Sequence, residues 1–154
     1  MPLRRLALLL ILAASAVLAS AAPVHAEGAF ATGQYRNLFA ELLGKSDADV
    51  QAKIDAAWSQ LFHGRDADQR LFYPVGSGQA YIADIGSQDV RSEGMSYGLM
   101  LAVQLDKRDE FDRLWRWVKA HMYHADGSRR GYFAWQCRFD GTTIDPGSAS
   151  DGEE

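Results

Sequence analysis

Residues 92–100 read SEGMSYGLM and predict a helix that is central to the fold of this chain. Ser92 is predicted to cap a helix that runs to about Leu105. Apolar residues occupy most sides of this helix, so we expect it to be buried on most sides. Glu93 opens the helix, where a buried carboxylate is costly unless it is partnered or protonated. Because burial favours the protonated form that a general acid needs, Glu93 is the candidate catalytic residue, although the helix dipole favours the anion.

Further helices are predicted on both sides of this stretch. A short helix is expected over 35–43, and Ser46 is predicted to cap a longer one that Gly64 ends. Asp106 is predicted to cap a fourth. Apolar stripes mark the second and fourth helices: Val50, Ile54, Ala57, Trp58 and Leu61, then Phe111, Leu114, Trp115, Val118 and Met122. The chain is predicted to be all-α. A short β-hairpin or loop near 131–142 is the exception.

Composition excludes several function classes. The chain has 154 residues with 16 Lys and Arg against 20 Asp and Glu, a net charge of −4, so it lacks the concentrated basic face that nucleic acids need. The single cysteine, Cys137, excludes an internal disulfide framework and is expected to be a half-buried structural thiol. His121 and His124 are expected to lie in the last turn of a helix rather than to bind zinc. We therefore expect no metal and no cofactor.

The N-terminus has the pattern of a secretory signal peptide over residues 1–26. Arg4 and Arg5 precede an apolar run, and small residues end in a cleavage site predicted after Ala26. The alternative is a membrane-spanning helix, for which the apolar run is short. We expect a secreted or periplasmic protein with a mature part starting at residue 27 and no membrane association after cleavage.

The last residues predict a helix start. Ser150 and Glu153 have the S-x-x-E form of a capping box, so a helix is expected to begin there. A domain does not usually end on such a signal. We therefore expect this chain to be the front portion of a longer protein.

Carboxylates and aromatic side chains occur together at the predicted helix entrances. The carboxylates are Asp89, Glu93, Asp151, Glu153 and Glu154, and the aromatic residues near them are Tyr97, Tyr132 and Trp135. Carboxylates that hydrogen-bond hydroxyls and aromatic rings that stack on sugars are typical of sites that cleave glycosidic bonds. Tyr97 and Trp135 are therefore candidate sugar-contacting residues, with core packing as the alternative for Trp135.

Four segments of the chain, in order, resemble glycoside hydrolase family 8. They are SEGMSYGLM (92–100), FDRLWRWVK (111–119), GYFAWQ (131–136) and SASDGEE (148–154), and the resemblance covers about 80–154. It is strongest to the family's reducing-end xylose-releasing exo-oligoxylanases. The resemblance implies an (α/α)6 barrel of twelve helices, of which only the N-terminal portion is present, and an inverting mechanism.

The resemblance also implies roles for individual residues. Glu93 matches the family's general acid, Asp151 the acidic residue that contacts the sugar at the cleavage site, and Trp135 an aromatic stacking position. The general base of the family lies downstream, so we expect it beyond Glu154. The resemblance therefore implies that residues 27–154 are the N-terminal part of a glycoside hydrolase catalytic domain and are inactive by themselves.

The leading hypothesis is a secreted glycoside hydrolase that releases xylose from the reducing end of β-1,4-xylo-oligosaccharides with inversion. An endo-acting β-1,4-glucanase or chitosanase of the same family is the first alternative. A non-catalytic sugar-binding α-toroid is the second. The expected partner is the xylo-oligosaccharide substrate, and the protein is expected to be a monomer.

Overall fold

The computed structural model describes residues 32–153, in two parts that divide after Lys45. Within residues 32–45 the first part contains the short helix α1 (Leu38–Leu43), which Gly44 ends in the left-handed conformation at φ 63°. The helix predicted over 35–43 is thus confirmed with a later start. The signal segment predicted over residues 1–26 lies outside the described residues. No helix within 32–153 is both long enough and apolar enough to cross a bilayer.

The second part contains three α-helices and one short 3₁₀ helix. Their bounds are α2 (Asp47–His63), α3 (Ser92–Gln104), α4 (Arg108–His121) and the 3₁₀ turn Ser150–Gly152. The start of α2 is as predicted, because Ser46 Oγ accepts the amide N–H of Asp49 at 3.1 Å. Gly64 follows its last residue, also as predicted.

The predicted caps of α3 and α4 are wrong. Arg91 and Lys107 hold the cap positions, and neither makes a side-chain cap hydrogen bond. Ser92 is instead the first residue of α3, because pairing with a neighbouring strand sets where that helix begins. Asp106 adopts the left-handed conformation at φ 55°, so it turns the chain between the helices rather than capping the second.

Two small antiparallel sheets accompany the helices. β1 (Phe72–Val75) pairs with β2 (Gln79–Ile82), with Phe72 opposite Ile82. The second sheet has the order β3 (Val90–Arg91), β4 (Gln136–Cys137) and β5 (Thr143–Asp145).

The sheets change the all-α prediction in part. The helical content is confirmed, and the hairpin expected near 131–142 corresponds to β4 and β5, which extend to Asp145. The β1–β2 hairpin was not predicted as a hairpin. Pro74 interrupts the strand pattern there, and it is tolerated because its strand pairs on one side only.

The core lies between α3, α4, the C-terminal end of α2 and the sheets. Its most buried large side chains are Trp117, Met95, Leu114, Met122, Val90 and Cys137. The predicted stripe on α4 therefore omitted Trp117 and wrongly included Trp115, which is 43% exposed. On α2 only Trp58 and Phe62 are buried, so the predicted stripe holds at the C-terminal end and fails at Ile54.

The prediction that α3 is buried on most sides is also wrong within the described part of the chain. Met100 and Val103 are exposed, and Tyr97 is 57% exposed. The buried side of α3 faces β2 and α4, and this leaves a continuous apolar face open.

Gly98 allows α3 to approach β2 closely. A Cβ atom at Gly98 would lie 2.6 Å from Ile82 Cγ1 and 3.1 Å from Leu114 Cδ1, closer than carbon atoms pack. A Cβ at Gly94, one turn earlier, would lie 3.5 Å from Ile82 Cγ2, which is ordinary contact. The helix therefore depends on glycine at one of these positions and not at the other.

We predict that Gly98→Ala destabilises the full-length protein by about 1–3 kcal/mol because the new methyl group overpacks the α3–β2 contact. Gly94→Ala is the matched control and is expected to be neutral or stabilising by up to about 1 kcal/mol, since alanine favours helix. Denaturant unfolding of both variants provides the measurement. Equal effects of the two substitutions would show that the α3–β2 contact does not depend on glycine at position 98.

Candidate active site

The first turn of α3 carries Glu93 into a cleft. The Glu93 side chain is half-buried, and the Ser92 hydroxyl donates to its Oε2 at 3.3 Å. We call this cleft, of about 350 Å³, the acid cleft; it is lined by Leu71, Ile82, Ala83, Asp84, Arg91, Glu93, Gly94 and Tyr97. The structure therefore brings Glu93 and Tyr97, both predicted site residues, to one cavity.

The start of α3 is fixed by backbone hydrogen bonds to the β3–β4 sheet. The amide N–H of Ser92 donates to the carbonyl oxygen of Trp135 at 3.0 Å, and Arg91 lies opposite Gln136 in the strand register. Because strand pairing continues up to the residue before the helix, the position of Glu93 is set by residues more than forty positions later in the sequence.

The 3₁₀ turn packs directly against the same first turn. A Cβ atom at Gly152 would lie 2.3 Å from Ser92 Oγ and 2.9 Å from the backbone nitrogen of Glu93. Only glycine allows this approach, and Asp151 is the residue before it. The turn therefore holds the exposed Asp151 beside the helix start that carries Glu93.

The predicted capping box at this turn is wrong. The turn begins at Ser150 after the cap residue Ala149, which makes no side-chain cap hydrogen bond. The Glu153 side chain does not reach back to Ser150. Its Oε1 accepts a hydrogen bond from the Phe133 backbone N–H at 2.8 Å, while the Glu153 backbone N–H donates to Ser150 O at 3.1 Å. A long-range partner has replaced the local one, and this bond ties the turn to the loop before β4.

A second cleft of about 490 Å³ lies on the open face of α3, and we call it the apolar cleft. Asp151, Gly152 and Glu153 line one part of it, and Tyr97 lines both clefts. The remaining lining residues are Ser92, Met95, Ser96, Leu99, Met100, Val103, Phe111, Trp115, Val118, Met122 and Phe133. Tyr97 is thus the predicted site residue that joins the side of Glu93 to the side of Asp151.

Trp135 lines neither of these two clefts, and its half-buried ring is held from several directions. Its backbone N–H donates to Gly147 O at 2.7 Å. The pKa of Asp145 is lowered by hydrogen bonds from the Gly147 N–H and from the Trp135 side chain. The guanidinium of Arg91 lies 5.6 Å from the centre of the indole ring.

Arg91 and Asp84 are cleft residues that the sequence analysis missed. Arg91 Nε lies 3.2 Å from Asp84 Oδ2 and 3.2 Å from Asp89 Oδ1. Hydrogen bonding to Asp89 raises the pKa of Arg91, and bonding from the Ser87 N–H, with Arg91 nearby, lowers the pKa of Asp84. The signal available was the spacing of Asp89 and Arg91, since residues two apart on a strand share a face.

Asp89 was predicted to belong to the carboxylates at the helix entrances. In the structure Asp89 is buried, at 3% exposure, and its carboxylate also accepts a hydrogen bond from the side-chain amide of Gln136. Its carboxylate therefore neutralises Arg91 rather than facing a cleft.

Within 32–153, no three His, Cys, Asp or Glu side chains are grouped closely enough to hold a metal ion. His121 is the last residue of α4, whereas His124 lies beyond its end, so the prediction that both lie in the last turn is wrong for His124. The imidazole of His121 contacts the side chain of Gln79 at 3.4 Å, and that of His124 contacts Pro146 O at 3.0 Å. Cys137 is fully buried rather than half-buried, and burial raises the pKa of its thiol.

The arrangement suits acid chemistry on a polyhydroxy ligand. A half-buried carboxyl faces a cleft, a second carboxylate lies on the adjoining turn, and an exposed phenol stands between the two clefts. In glycosidases a protonated carboxyl group donates its proton to the leaving-group oxygen, and carboxylates bind sugar hydroxyls.

Comparison with known proteins agrees with this chemistry. The family described as "Glycosyl hydrolases family 8" matches residues 78–154. The chain is 48% identical over 131 residues to the reducing-end xylose-releasing exo-oligoxylanase Rex8A of Paenibacillus barcinonensis, covering 85% of this chain and 34% of that protein. It is 50% identical over 128 residues to a reducing end xylose-releasing exo-oligoxylanase of Halalkalibacterium halodurans, covering 83% and 32%.

A solved structure shows the same similarity in three dimensions. Rex8A of Paenibacillus barcinonensis complexed with xylose superposes with a TM-score of 0.78 at 49% identity, over 82% of this chain and 33% of that one. The chain thus spans about a third of the length of the curated relatives it matches.

We predict that the native state weakens as pH falls below the ordinary aspartate pKa of about 3.9. Asp84, Asp140 and Asp145 have a lowered pKa, chiefly from backbone N–H groups. A lowered pKa stabilises the fold above the unfolded pKa, and that stability is lost as pH falls through the folded value. Thermal melting between pH 7 and pH 3 measures it.

Asp145→Asn should show a smaller loss of melting temperature between those pH values, because one of the stabilised carboxylates is gone. Asp112→Asn is the control, since the ion pairs of Asp112 are long, at 3.8 and 3.9 Å, and on the surface. If the Asp145 variant loses as much melting temperature between pH 7 and pH 3 as the wild type does, the stabilising role of the Asp145 carboxylate is contradicted.

Proposed function

This chain belongs to glycosyl hydrolase family 8, and from that premise we propose that the full-length protein containing it is a glycosidase that uses Glu93 as its general acid. The observation that carries the proposal is the placement of Glu93. It is half-buried in the acid cleft, on a helix start that the β3–β4 sheet fixes and that the turn of Asp151 contacts.

Glu93 would act by donating its proton to the glycosidic oxygen as the bond to the leaving sugar breaks. In an inverting reaction a second carboxylate activates water on the opposite face of the sugar. Proton loss leaves a carboxylate at Glu93, which the Ser92 hydroxyl, the nearby Arg91 cation and the N-terminus of α3 would stabilise. The general base stays the residue predicted beyond Glu154.

We propose xylo-oligosaccharides as the substrate and their reducing end as the site of xylose release. Support comes from identities of 48% and 50% to two exo-oligoxylanases. Asp151 and Tyr97 would contact the sugar, because both side chains border the apolar cleft next to the first turn of α3. Trp135 would stack on a sugar ring.

The proposed architecture is an (α/α)6 barrel to which residues 27–154 contribute part of the catalytic domain. It is supported by the superposition with a TM-score of 0.78 and by the apolar face that α3 leaves open. We also propose export by a signal peptide over 1–26 to the periplasm or the medium. Sequencing the exported protein tests this, with Glu27 as the expected first residue and retention of residues 1–26 as the contrary result.

The function is tested by incubating the full-length protein with xylotriose. We expect xylose and xylobiose in equal amounts, with the new reducing end first formed as the α-anomer, as seen by proton NMR. Retained configuration would contradict the inverting mechanism. Cleavage inside carboxymethylcellulose or chitosan, with no action on xylotriose, would favour the endo-acting alternative.

Glu93→Gln is expected to lower kcat by about 10²–10⁴-fold, because the amide cannot donate a proton to the leaving oxygen. Binding of xylotriose, measured by calorimetry, should change little. Glu41→Gln is the matched control on the exposed surface of α1, and its activity should equal that of the wild type. A Glu93 variant that keeps most of its turnover would remove this residue from the acid role.

A further inference from the structure

We propose that Arg91 is a positioning residue for Trp135, and that its guanidinium fixes the orientation in which the indole ring stacks on the sugar. This inference rests on the proposed function, in which Trp135 is the stacking residue. Arg91 would influence sugar binding through the indole ring of Trp135.

The guanidinium of Arg91 has one well-defined position. Its Nε lies between the carboxylates of Asp84 and Asp89, 3.2 Å from each, and its Nη2 donates to Ser87 Oγ at 2.7 Å. Asp89 is almost fully buried and is held in turn by the amide of Gln136. Charge-assisted bonds to fixed partners restrict a long side chain that would otherwise sample many rotamers.

The Asp84–Asp89 loop that supplies these partners is itself closed by its backbone. The N–H of Asp84 donates to Asp89 O at 2.9 Å, and Asp84 Oδ1 accepts the N–H groups of Gly86 and Ser87, each at 2.9 Å. The anchor of Arg91 is therefore rigid before any ligand binds.

The ring of Trp135 meets this anchored cation. The guanidinium carbon lies 5.6 Å from the ring centre, within the range of cation–π attraction. The side chain of Trp135 also bonds to Asp145, and its backbone bonds to Gly147 and Ser92 on either side. Hydrogen bonds thus hold the backbone and the indole edge of Trp135, and the guanidinium of Arg91 contacts the face of the ring.

A purely structural role for Arg91 is the competing explanation. Arg91 neutralises Asp89, which is buried, and losing that partner is costly whatever residue stands at position 135. A positioning role has a different signature, because the effect of changing Arg91 on sugar binding must vanish when the ring is absent. A double-mutant cycle separates the two.

The experiment measures kcat and KM on xylo-oligosaccharides for four forms of the full-length protein: wild type, Arg91→Met, Trp135→Ala and the double variant. In the wild-type background Arg91→Met should raise KM roughly three- to tenfold, as expected for a lost cation–π contact. Any change in kcat from losing the cation beside Glu93 should be the same with and without Trp135. In the Trp135→Ala background the same substitution should change KM by less than about twofold. Arg108→Met, in an exposed 3.8 Å ion pair, is the control and should leave both constants unchanged.

Equal increases of KM in both backgrounds would overturn the positioning role, as would no increase in either. If Arg91→Met does not fold, Arg91→Lys is used in the same cycle with the same criteria. Lysine keeps the charge beside Asp89 but lacks the planar fork, so it should raise KM by a smaller factor, again only when Trp135 is present.

An NMR readout keeps this inference separate from the proposed function. The indole N–H resonance of Trp135 is the one that disappears in Trp135→Ala. It should shift in Arg91→Met or Arg91→Lys and stay in place in Arg108→Met. An unmoved resonance would overturn the inference even if the enzyme is active. A shifted resonance in a protein that cleaves no xylo-oligosaccharide would leave the inference standing and the proposed function contradicted.

Discussion

The contact on which the candidate site depends is the fixation of the first turn of α3 from two sides. On one side the Ser92 N–H bonds to the Trp135 carbonyl at the end of the β3–β4 pairing. On the other side Gly152 packs against Ser92 and the Glu93 backbone with no room for a side chain. The position of Glu93 is therefore set by backbone contacts and not by its own side-chain bonds. Such contacts keep a carboxyl in place when its protonation changes, as a proton donor requires.

Charge balance around Arg91 follows from the same arrangement. The loop before β3 supplies both Asp84 and Asp89, so one cation on β3, Arg91, meets two carboxylates beside Glu93. The buried Asp89 is compensated, and the guanidinium is left pointing at Trp135. The fold thus uses a structural ion pair to organise two elements of the proposed sugar site.

Local signals in the sequence predicted local structure. Ser46 and Gly64 gave the bounds of α2, and the chemistry of Glu93 was inferred from its place at a helix start. The failures share a cause, because each concerns a partner distant in the sequence. Ser92 is not the cap residue, because strand pairing continues up to Arg91, and the Glu153 side chain accepts a hydrogen bond from Phe133 instead of from Ser150. The burial of Trp117 and the exposure of Trp115 depend on which side of α4 meets β2, which the periodicity alone did not specify.

The central claim is that the first turn of α3 presents Glu93 to the glycosidic oxygen. It is tested most directly by a crystal structure of the full-length Glu93→Gln variant with a bound xylo-oligosaccharide. We expect the side-chain amide of residue 93 to lie about 3 Å from the glycosidic oxygen between the last two sugars, at hydrogen-bond distance. An oligosaccharide bound with that oxygen out of hydrogen-bond reach of position 93, and next to another carboxyl group, would contradict it.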